Sequence, residues 1–184
     1  MPNQKLINAE CIRSFITKLS LKLFALTLEY LNFAGLRAIH NLGIIFRDVK
    51  LKNVLVANSG NLVITDFGLA KWLRRRQRTF TICGTLAFMA PEVAKGQAYD
   101  HSVDLWSLGV LLYCMAFAQY PFPPTTSHQE LVQVHAEQKP LAFQHADFDL
   151  QNLLESLLQY EEQDRLFTLN DEYDEKCVFL DSLL

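Results

Sequence analysis

The chain has 184 residues, half of them hydrophobic, which suits one compact domain with a sizeable core. Its formal net charge of −3 gives no sign of a nucleic-acid or membrane partner. The charge is uneven, since residues 47–78 have a balance of +6 and residues 146–184 a balance of −9. This distribution predicts two local fields of opposite sign.

The spacing of the cysteines indicates the cellular compartment. None of the cysteines forms a Cys-x-x-Cys pair, and no histidine lies near them at metal-ligand spacing. A reduced intracellular protein, cytoplasmic or nuclear, is therefore expected. Lys18 and Lys22 interrupt the apolar stretch near the N-terminus, so no signal-peptide pattern is present. The four cysteines are Cys11, Cys83, Cys114 and Cys177.

The first part of the chain predicts a helix followed by a hairpin. Residues 1–20 give no clear pattern, whereas residues 21–41 carry apolar side chains near helical spacing. Residues 54–57 and 62–65 are short apolar runs, and the Asn-Ser-Gly-Asn sequence of residues 58–61 is a strong turn signal. We expect a short β-hairpin with polar motif residues at the ends of its strands.

The rest of the chain predicts a mainly α fold. Residues 66–92 lack a clear period and are expected to form a long loop, which in a compact domain is usually functional. Helices are predicted over 100–118, 127–137 and 150–160. Residues 167–184 are acidic and weakly patterned, and we expect a loosely held tail there.

One apolar stretch imitates a membrane span. Residues 105–122 carry no charge over 18 positions. Pro121 and the flanking Asp104 argue against a span, and a helix buried on all sides of a globular core has the same composition. We therefore predict a buried helix and no membrane span.

Three short motifs occur in a fixed order. The sequence Phe-Arg-Asp-Val-Lys-Leu-Lys-Asn occupies residues 46–53, Asp-Phe-Gly occupies 66–68, and Ala-Pro-Glu occupies 90–92. Each one alone is usually a turn or a surface pair. Together, in this order and at workable spacings, they resemble the catalytic loop, the metal loop and the end of the activation segment of a protein kinase.

The resemblance implies roles for individual residues in phosphoryl transfer from ATP. Asp48 would accept the proton of the substrate hydroxyl, and Lys50 would lie beside the transferred phosphoryl group. Asn53 and Asp66 would hold Mg²⁺, because amide and carboxylate oxygens are hard ligands that suit this ion. Leu55 would belong to the nucleotide-binding surface.

Further residues fit the same family. Asp104 resembles the aspartate at the start of the central helix, which accepts backbone N–H groups of the catalytic loop. Arg165 resembles the arginine that forms a buried ion pair with the glutamate of Ala-Pro-Glu, here Glu92; a solvated arginine at a helix end is the alternative. Thr85 would hydrogen-bond near the catalytic loop. Together with Lys50 it implies serine/threonine specificity.

Residues 81–92 resemble the AGC group of kinases and, within it, relatives of the ribosomal protein kinases. The resemblance implies that Thr81 is phosphorylated by an upstream activating kinase, with Arg47 and Lys71 receiving the phosphate. The remaining arginines are expected to form a solvated basic loop; a nuclear-localisation or docking role is the alternative. These are Arg74, Arg75, Arg76 and Arg78.

The resemblance places the C-terminal lobe of a protein kinase over residues 21–166, with protein Ser/Thr hydroxyls as acceptors. Four positions depart from the family pattern, and one of them is Leu51, which replaces a frequent Pro. Phe46 stands where His or Tyr usually precedes Arg-Asp, although an aromatic ring there can still pack against Phe67. Lys52 and Cys114 stand where arginine-directed relatives often carry carboxylates.

The 184 residues contain no Gly-x-Gly-x-x-Gly motif and nothing like the Val-Ala-Ile-Lys strand of the nucleotide-binding lobe. The chain is therefore expected to be a fragment that is inactive alone, since those parts cover and orient the phosphates. Two alternatives are a kinase-derived binding module that keeps a docking surface, and a non-functional truncated product.

Overall fold

The structure is a computed structural model that describes residues 5–6, 35–56, 62–74, 76–143, 146 and 148–165. The predicted helical stretch before residue 35, the predicted turn and the acidic tail lie outside the described residues. The described elements are, in chain order, β1 (Lys5–Leu6), α1 (helical over the described residues 35–41), β2 (Ile44–Ile45), β3 (Val54–Val56), β4 (Leu62–Ile64), β5 (Lys71–Trp72), α2 (Pro91–Ala94), α3 (Ser102–Phe117), α4 (His128–Ala136) and α5 (Phe148–Leu157).

The fold is mainly helical, as predicted, and the predicted hairpin is present. Strands β3 and β4 pair antiparallel, with Val54 opposite Ile64. Strand β1 adds antiparallel to the other edge of β3. Val54 is buried and Ile64 packs against the core, so one face of the hairpin lies on the helices. The hairpin therefore presents the residues just before β3 and just after β4 at one end.

The centre of the core is helix α3. All of its residues from Ser102 to Tyr113 are buried, which explains why its composition imitates a membrane span. Within the described residues, no helix combines the length and apolar composition needed to cross a membrane. Helix α3 ends at Ala118, which adopts the left-handed conformation.

Helices α4 and α5 complete the helical body. The Ser127 hydroxyl accepts the Glu130 N–H at 3.2 Å, while the Glu130 carboxylate accepts the Thr126 N–H at 2.7 Å, and this reciprocal cap begins α4. Helix α5 lies against α3 at Gly109, where a Cβ would come within 2.9 Å of Leu157 Cβ. A side chain at residue 109 would thus push the two helices apart.

The long loop over residues 66–92 has more structure than its sequence indicates. Strand β5 pairs antiparallel with β2, with Ile44 opposite Trp72. Short 3₁₀ turns cover Phe67–Leu69 and Leu86–Phe88. The β2–β5 pair joins residues that are far apart in sequence, and two-residue strands carry no readable period.

Candidate active site

The loop that carries Asp48 is fixed by a buried carboxylate. Asp104 is 0% exposed, and its Oδ2 and Oδ1 accept the backbone N–H groups of Phe46 and Arg47, each at 2.7 Å. His40 Nε2 lies 2.8 Å from Asp104 Oδ2. Arg47 has a φ of 67°, a left-handed conformation that is strained for a long side chain. The Asp104 hydrogen bonds stabilise that conformation and so determine the direction of the next residue, Asp48.

Asp48, Lys50 and Thr85 form one hydrogen-bonded cluster. Lys50 Nζ lies 2.7 Å from Asp48 Oδ2, and the Thr85 hydroxyl donates to Asp48 Oδ1 at 3.0 Å. Lys50 Nζ also donates to the Thr85 hydroxyl at 3.1 Å. Both oxygens of the Asp48 carboxylate are thereby held in place on a side chain that is 8% exposed.

Thr85 reaches this cluster because the chain beside it comes very close to the Asp48 loop. Gly84 has a φ of 105°, and a Cβ there would lie 2.8 Å from the Arg47 carbonyl oxygen. Only glycine fits this approach. The contact of Thr85 with the Asp48 loop therefore depends on Gly84.

Asn53 ends the same loop and begins the hairpin. Its Nδ2 donates to the Asp48 carbonyl at 2.9 Å and to Asp48 Oδ2 at 3.0 Å. Both hydrogens of the amide are then used, so Oδ1 is the atom that can bind a cation. The Asn53 carbonyl accepts the Thr65 N–H at 2.8 Å, which links Asn53 to the residue before Asp66.

Asp66 follows β4 and lies at the same end of the hairpin as Asn53. It has a φ of 66°, and its Oδ1 accepts the Gly68 N–H at 3.3 Å. The ring of Phe67 packs edge-on against Phe46 with centroids 5.2 Å apart, so the expected contact between these aromatic residues is present. The Asp66 side chain is exposed and available to a ligand.

Asn53 and Asp66 fit a Mg²⁺ site by the chemistry of their donor atoms. One amide oxygen and one carboxylate are hard ligands, and Mg²⁺ typically keeps several water molecules and phosphate oxygens beside one or two protein ligands. Within the described residues, no group of three His, Cys, Asp or Glu side chains could hold a metal ion. The donor set therefore suits a cation shared with a phosphate ligand. Leu55, expected at the nucleotide surface, is half-buried in β3 opposite Val63.

The residues expected around Thr81 are only partly brought together. Thr81 is exposed, and its carbonyl accepts the Tyr99 hydroxyl. Arg47 Nε donates to the Leu69 carbonyl at 2.7 Å, whereas Arg47 Nη1 is buried without a partner among the described residues. Lys71 Nζ donates at 2.8 Å to the hydroxyl of Thr79, two residues before Thr81.

Glu92 and Arg165 form a buried pair with two hydrogen bonds. Arg165 Nη1 and Nη2 donate to the two Glu92 carboxylate oxygens at 2.7 and 3.1 Å. Arg165 Nη1 also donates to the Ser102 carbonyl at 3.1 Å, and the guanidinium lies over the Trp106 ring at 5.2 Å. The side chain of Arg165 is fully buried, so the solvated alternative for this residue is wrong.

Comparison with known proteins decides the family. The model of the protein kinase domain matches residues 13–172, which is most of the chain. The chain belongs to the protein kinase family. The ordered motifs and the Asp48 cluster are thus features of a protein kinase domain, and membership of the enzyme family expected from the sequence is confirmed.

The relatives are serine/threonine kinases of the ribosomal S6 kinase and Sgk type, which confirms the AGC resemblance. The human "Ribosomal protein S6 kinase-related protein" is 44% identical over 59% of this chain and 26% of its own length. The rat "Serine/threonine-protein kinase Sgk1" is 36% identical over 82% of this chain and 35% of its own length. This kinase chain therefore spans about a quarter to a third of the length of these relatives.

Several residues of this kinase site were missed by sequence reasoning. His40, Tyr99 and Glu162 make contacts that bridge distant parts of the chain, and no local motif marks them. Arg78, expected on a solvated loop, is exposed there, and it also donates to the Ala98 carbonyl and to the Glu162 carboxylate. The Arg75 position lies outside the described residues.

Proposed function

We propose that this chain carries the substrate-side machinery of a serine/threonine protein kinase, which transfers the γ-phosphoryl group of ATP to Ser and Thr hydroxyls of proteins. The observation that carries the proposal is the cluster of Asp48, Lys50 and Thr85. It combines a carboxylate that can accept a proton, an ammonium that can neutralise developing charge, and a hydroxyl that fixes both.

Asp48 accepts the proton of the acceptor hydroxyl. Its carboxylate is held by Thr85 at Oδ1 and by Lys50 and Asn53 at Oδ2, so its direction is set before substrate binds. Such preorganisation lowers the barrier because little reorganisation accompanies the reaction. Lys50 is one-fifth exposed and can also reach a phosphoryl oxygen beside Asp48.

Asn53 Oδ1 and the Asp66 carboxylate are the groups that would hold Mg²⁺, and Leu55 would contact the nucleotide. When bound, Mg²⁺ neutralises charge on the phosphates of ATP. The protein contribution is the geometry, because the Thr65 N–H bond to the Asn53 carbonyl keeps the two ligand residues at the same end of the hairpin.

We further propose that an upstream kinase phosphorylates Thr81. The exposed Thr81 side chain is accessible, and Arg47 Nη1 is a buried donor without a partner among the described residues. A phosphate on Thr81 would supply the acceptor that this donor lacks. Lys71, whose Nζ donates to the neighbouring Thr79, is the second basic residue near this position.

The expected compartment is cytoplasmic or nuclear. Cys83 and Cys114 are both free thiols, which is typical of proteins in a reducing environment. Burial raises the pKa of the Cys114 thiol to about 12, so this thiol is neutral at physiological pH. We propose an intracellular location for this protein kinase.

The test is a phosphoryl-transfer assay on a fusion of this chain to the nucleotide-binding lobe of an active protein kinase. We expect Mg²⁺-dependent labelling of a Ser/Thr peptide, and a loss of at least about a hundredfold in Asp48→Asn, since general base catalysis contributes about that much or more. Asp164→Asn, an exposed acid outside the cluster, is the matched control. Equal labelling by the two variants would refute the proposal.

A further inference from the structure

Arg78 connects three separate parts of the chain. Its Nη2 donates to the Ala98 carbonyl at 2.7 Å and to the Glu162 carboxylate. Its Nη1 lies 3.9 Å from Asp100 Oδ2. The loop that follows β5 is thereby attached to the segment before α3 and to the segment after α5.

The acceptors of Arg78 are themselves fixed to the first residue of α3. Glu162 Oε1 accepts the Ser102 hydroxyl at 2.9 Å, and Asp100 Oδ1 accepts the Ser102 N–H at 2.9 Å. The two carboxylates are neighbours of like charge, so a cation beside them is stabilising. Burial raises the pKa of the Glu162 carboxyl, and the Arg78 guanidinium opposes that rise.

The geometry argues against a weak surface pair. Solvated ion pairs contribute little to stability. The Arg78 side chain is 41% exposed, but the Glu162 side chain is only 16% exposed, and the guanidinium has a carbonyl and a carboxylate as simultaneous acceptors. Charge-assisted hydrogen bonds in such a setting are about twice as strong as neutral ones.

Residues 79–85 connect Arg78 to the Asp48 cluster through a series of hydrogen bonds. Thr79 and Tyr99 are both buried and exchange two backbone hydrogen bonds, each 2.9 Å long. The Tyr99 hydroxyl then donates to the Thr81 carbonyl. Thr85 follows four residues later and donates to Asp48 Oδ1. Arg78 is thus the first contact in a row that ends at Asp48.

We propose that Arg78, held by Glu162, is a positioning residue that orders residues 78–85 and so places Thr85 against Asp48. This inference deepens the proposed function, because it assigns a second arginine contact, beside the Glu92–Arg165 pair, to the segment on the substrate side. It predicts that the segment has local order that depends on Glu162.

The test is amide hydrogen exchange on the 184-residue chain, resolved by NMR. In Arg78→Gln and in Glu162→Gln, exchange at Thr79 and Tyr99 should accelerate at least tenfold. The Phe88 amide, which donates to the Thr85 carbonyl at 2.9 Å, should accelerate at least threefold. Leu108 in the core of α3 should not change. Arg74→Gln, on an exposed arginine of the same loop, is the control and should behave as wild type.

A rescue variant separates positioning from a loss of folding. Arg78→Lys, which keeps the positive charge but has fewer donors in a less fixed geometry, should be intermediate. Unchanged exchange in Arg78→Gln, or an effect in Arg78→Gln that is absent in Glu162→Gln, would overturn the proposal. So would a Phe88 amide that stays protected. If Leu108 also loses protection in Arg78→Gln, Arg78→Lys decides, since a lysine that restores protection at neither Thr79 nor Tyr99 refutes the pairing.

Hydrogen exchange requires no catalysis. A failed phosphoryl-transfer assay together with the expected exchange would therefore refute the kinase function and leave the Arg78–Glu162 attachment in place. The opposite combination would refute only the attachment.

Discussion

Two buried polar side chains, Arg165 and His135, differ in their hydrogen bonding. Arg165 has hydrogen-bond acceptors for its guanidinium, including both oxygens of Glu92. His135 lies edge-on against the rings of Trp106 and Phe122, and its Nδ1 has no partner among the described residues. Arg165 is therefore stabilising as a charged group, whereas His135 is stable only when neutral.

We expect Arg165→Ala to destabilise the protein strongly, because it strands the buried Glu92 carboxylate. Removing one partner of a buried pair costs about 3–5 kcal/mol. Arg74→Ala, at an exposed arginine, is the matched control and should change stability by less than about 0.5 kcal/mol. Urea denaturation measures both. Equal midpoints would contradict the importance of the pair.

Stability should fall in mild acid because of His135. Burial, with smaller contributions from Lys95 and Arg165, lowers the pKa of His135 to about 4. The neutral form is favoured in the folded state, so the stabilisation is complete above the unfolded pKa of 6.5 and is lost as pH falls toward 4. The loss is on the order of 3 kcal/mol.

The variant His135→Gln should flatten the pH dependence of unfolding between pH 6.5 and 4, whatever its stability at neutral pH. His128→Gln, at an exposed histidine at the start of the same helix, should keep the wild-type slope. A His135→Gln slope identical to wild type would show that the acid sensitivity arises elsewhere.

At the scale of elements, the sequence predicted the helices whose signals lie in neighbouring residues of the chain. Helices α3 and α4 came within two residues of their observed bounds, because apolar residues at helical spacing and the prolines that follow α3 are local signals. The β2–β5 pair and the Arg78–Glu162 contact were missed, because their partners are distant and no periodic pattern marks them.

The candidate site followed the same division. Asp48, Asn53 and Asp66 could be named from motif order, and Thr85 from its place before Ala-Pro-Glu. The sequence did not show why these residues lie close together. The cause is the left-handed backbone of Arg47 and the close approach of Gly84 to the Arg47 carbonyl.

Phosphorylation of Thr81 should order the segment that contains it. The phosphate would give Arg47 Nη1 an acceptor and add charge-assisted hydrogen bonds to the loop that carries Asp48. In the fusion enzyme we expect Thr81→Ala to lower activity, and Arg47→Ala to remove the benefit of phosphorylation. Mass spectrometry and turnover measure this. Full activity of unmodified protein, together with full activity of Thr81→Ala, would rule the role out.

The catalytic loop also predicts substrate preference. Lys52 is exposed one residue before Asn53, and the neutral thiol of Cys114 is half-buried. A cation beside the substrate groove repels basic peptides, and like charges suppress such partners. We expect weak or absent selection for arginine upstream of the acceptor. A peptide-library profile is the measurement; strong arginine selection that Lys52→Glu leaves unchanged would contradict it.

At the scale of the whole molecule, Asp48 and Asn53 are buried, whereas Asp66 at the same end of the hairpin is open to solvent. Phe67 and Val63, at the hairpin end of the site, are 49% and 39% exposed. Charge stabilisation is much weaker in water than in a closed site. The 184 residues tested by themselves should therefore show no measurable kinase activity, although Asp48, Lys50 and Thr85 are in place.

The most direct measurement compares the isolated chain with the fusion to a nucleotide-binding lobe, using Ser, Thr and Tyr versions of one acceptor peptide. We predict no labelling by the isolated chain, and labelling of Ser and Thr but not Tyr by the fusion, within the range of about 1–100 s⁻¹ typical of kinases. Lys50→Ala should lower the rate for Ser and Thr. Labelling of the Tyr peptide at an equal rate, or turnover that survives Asp48→Asn, would contradict the account.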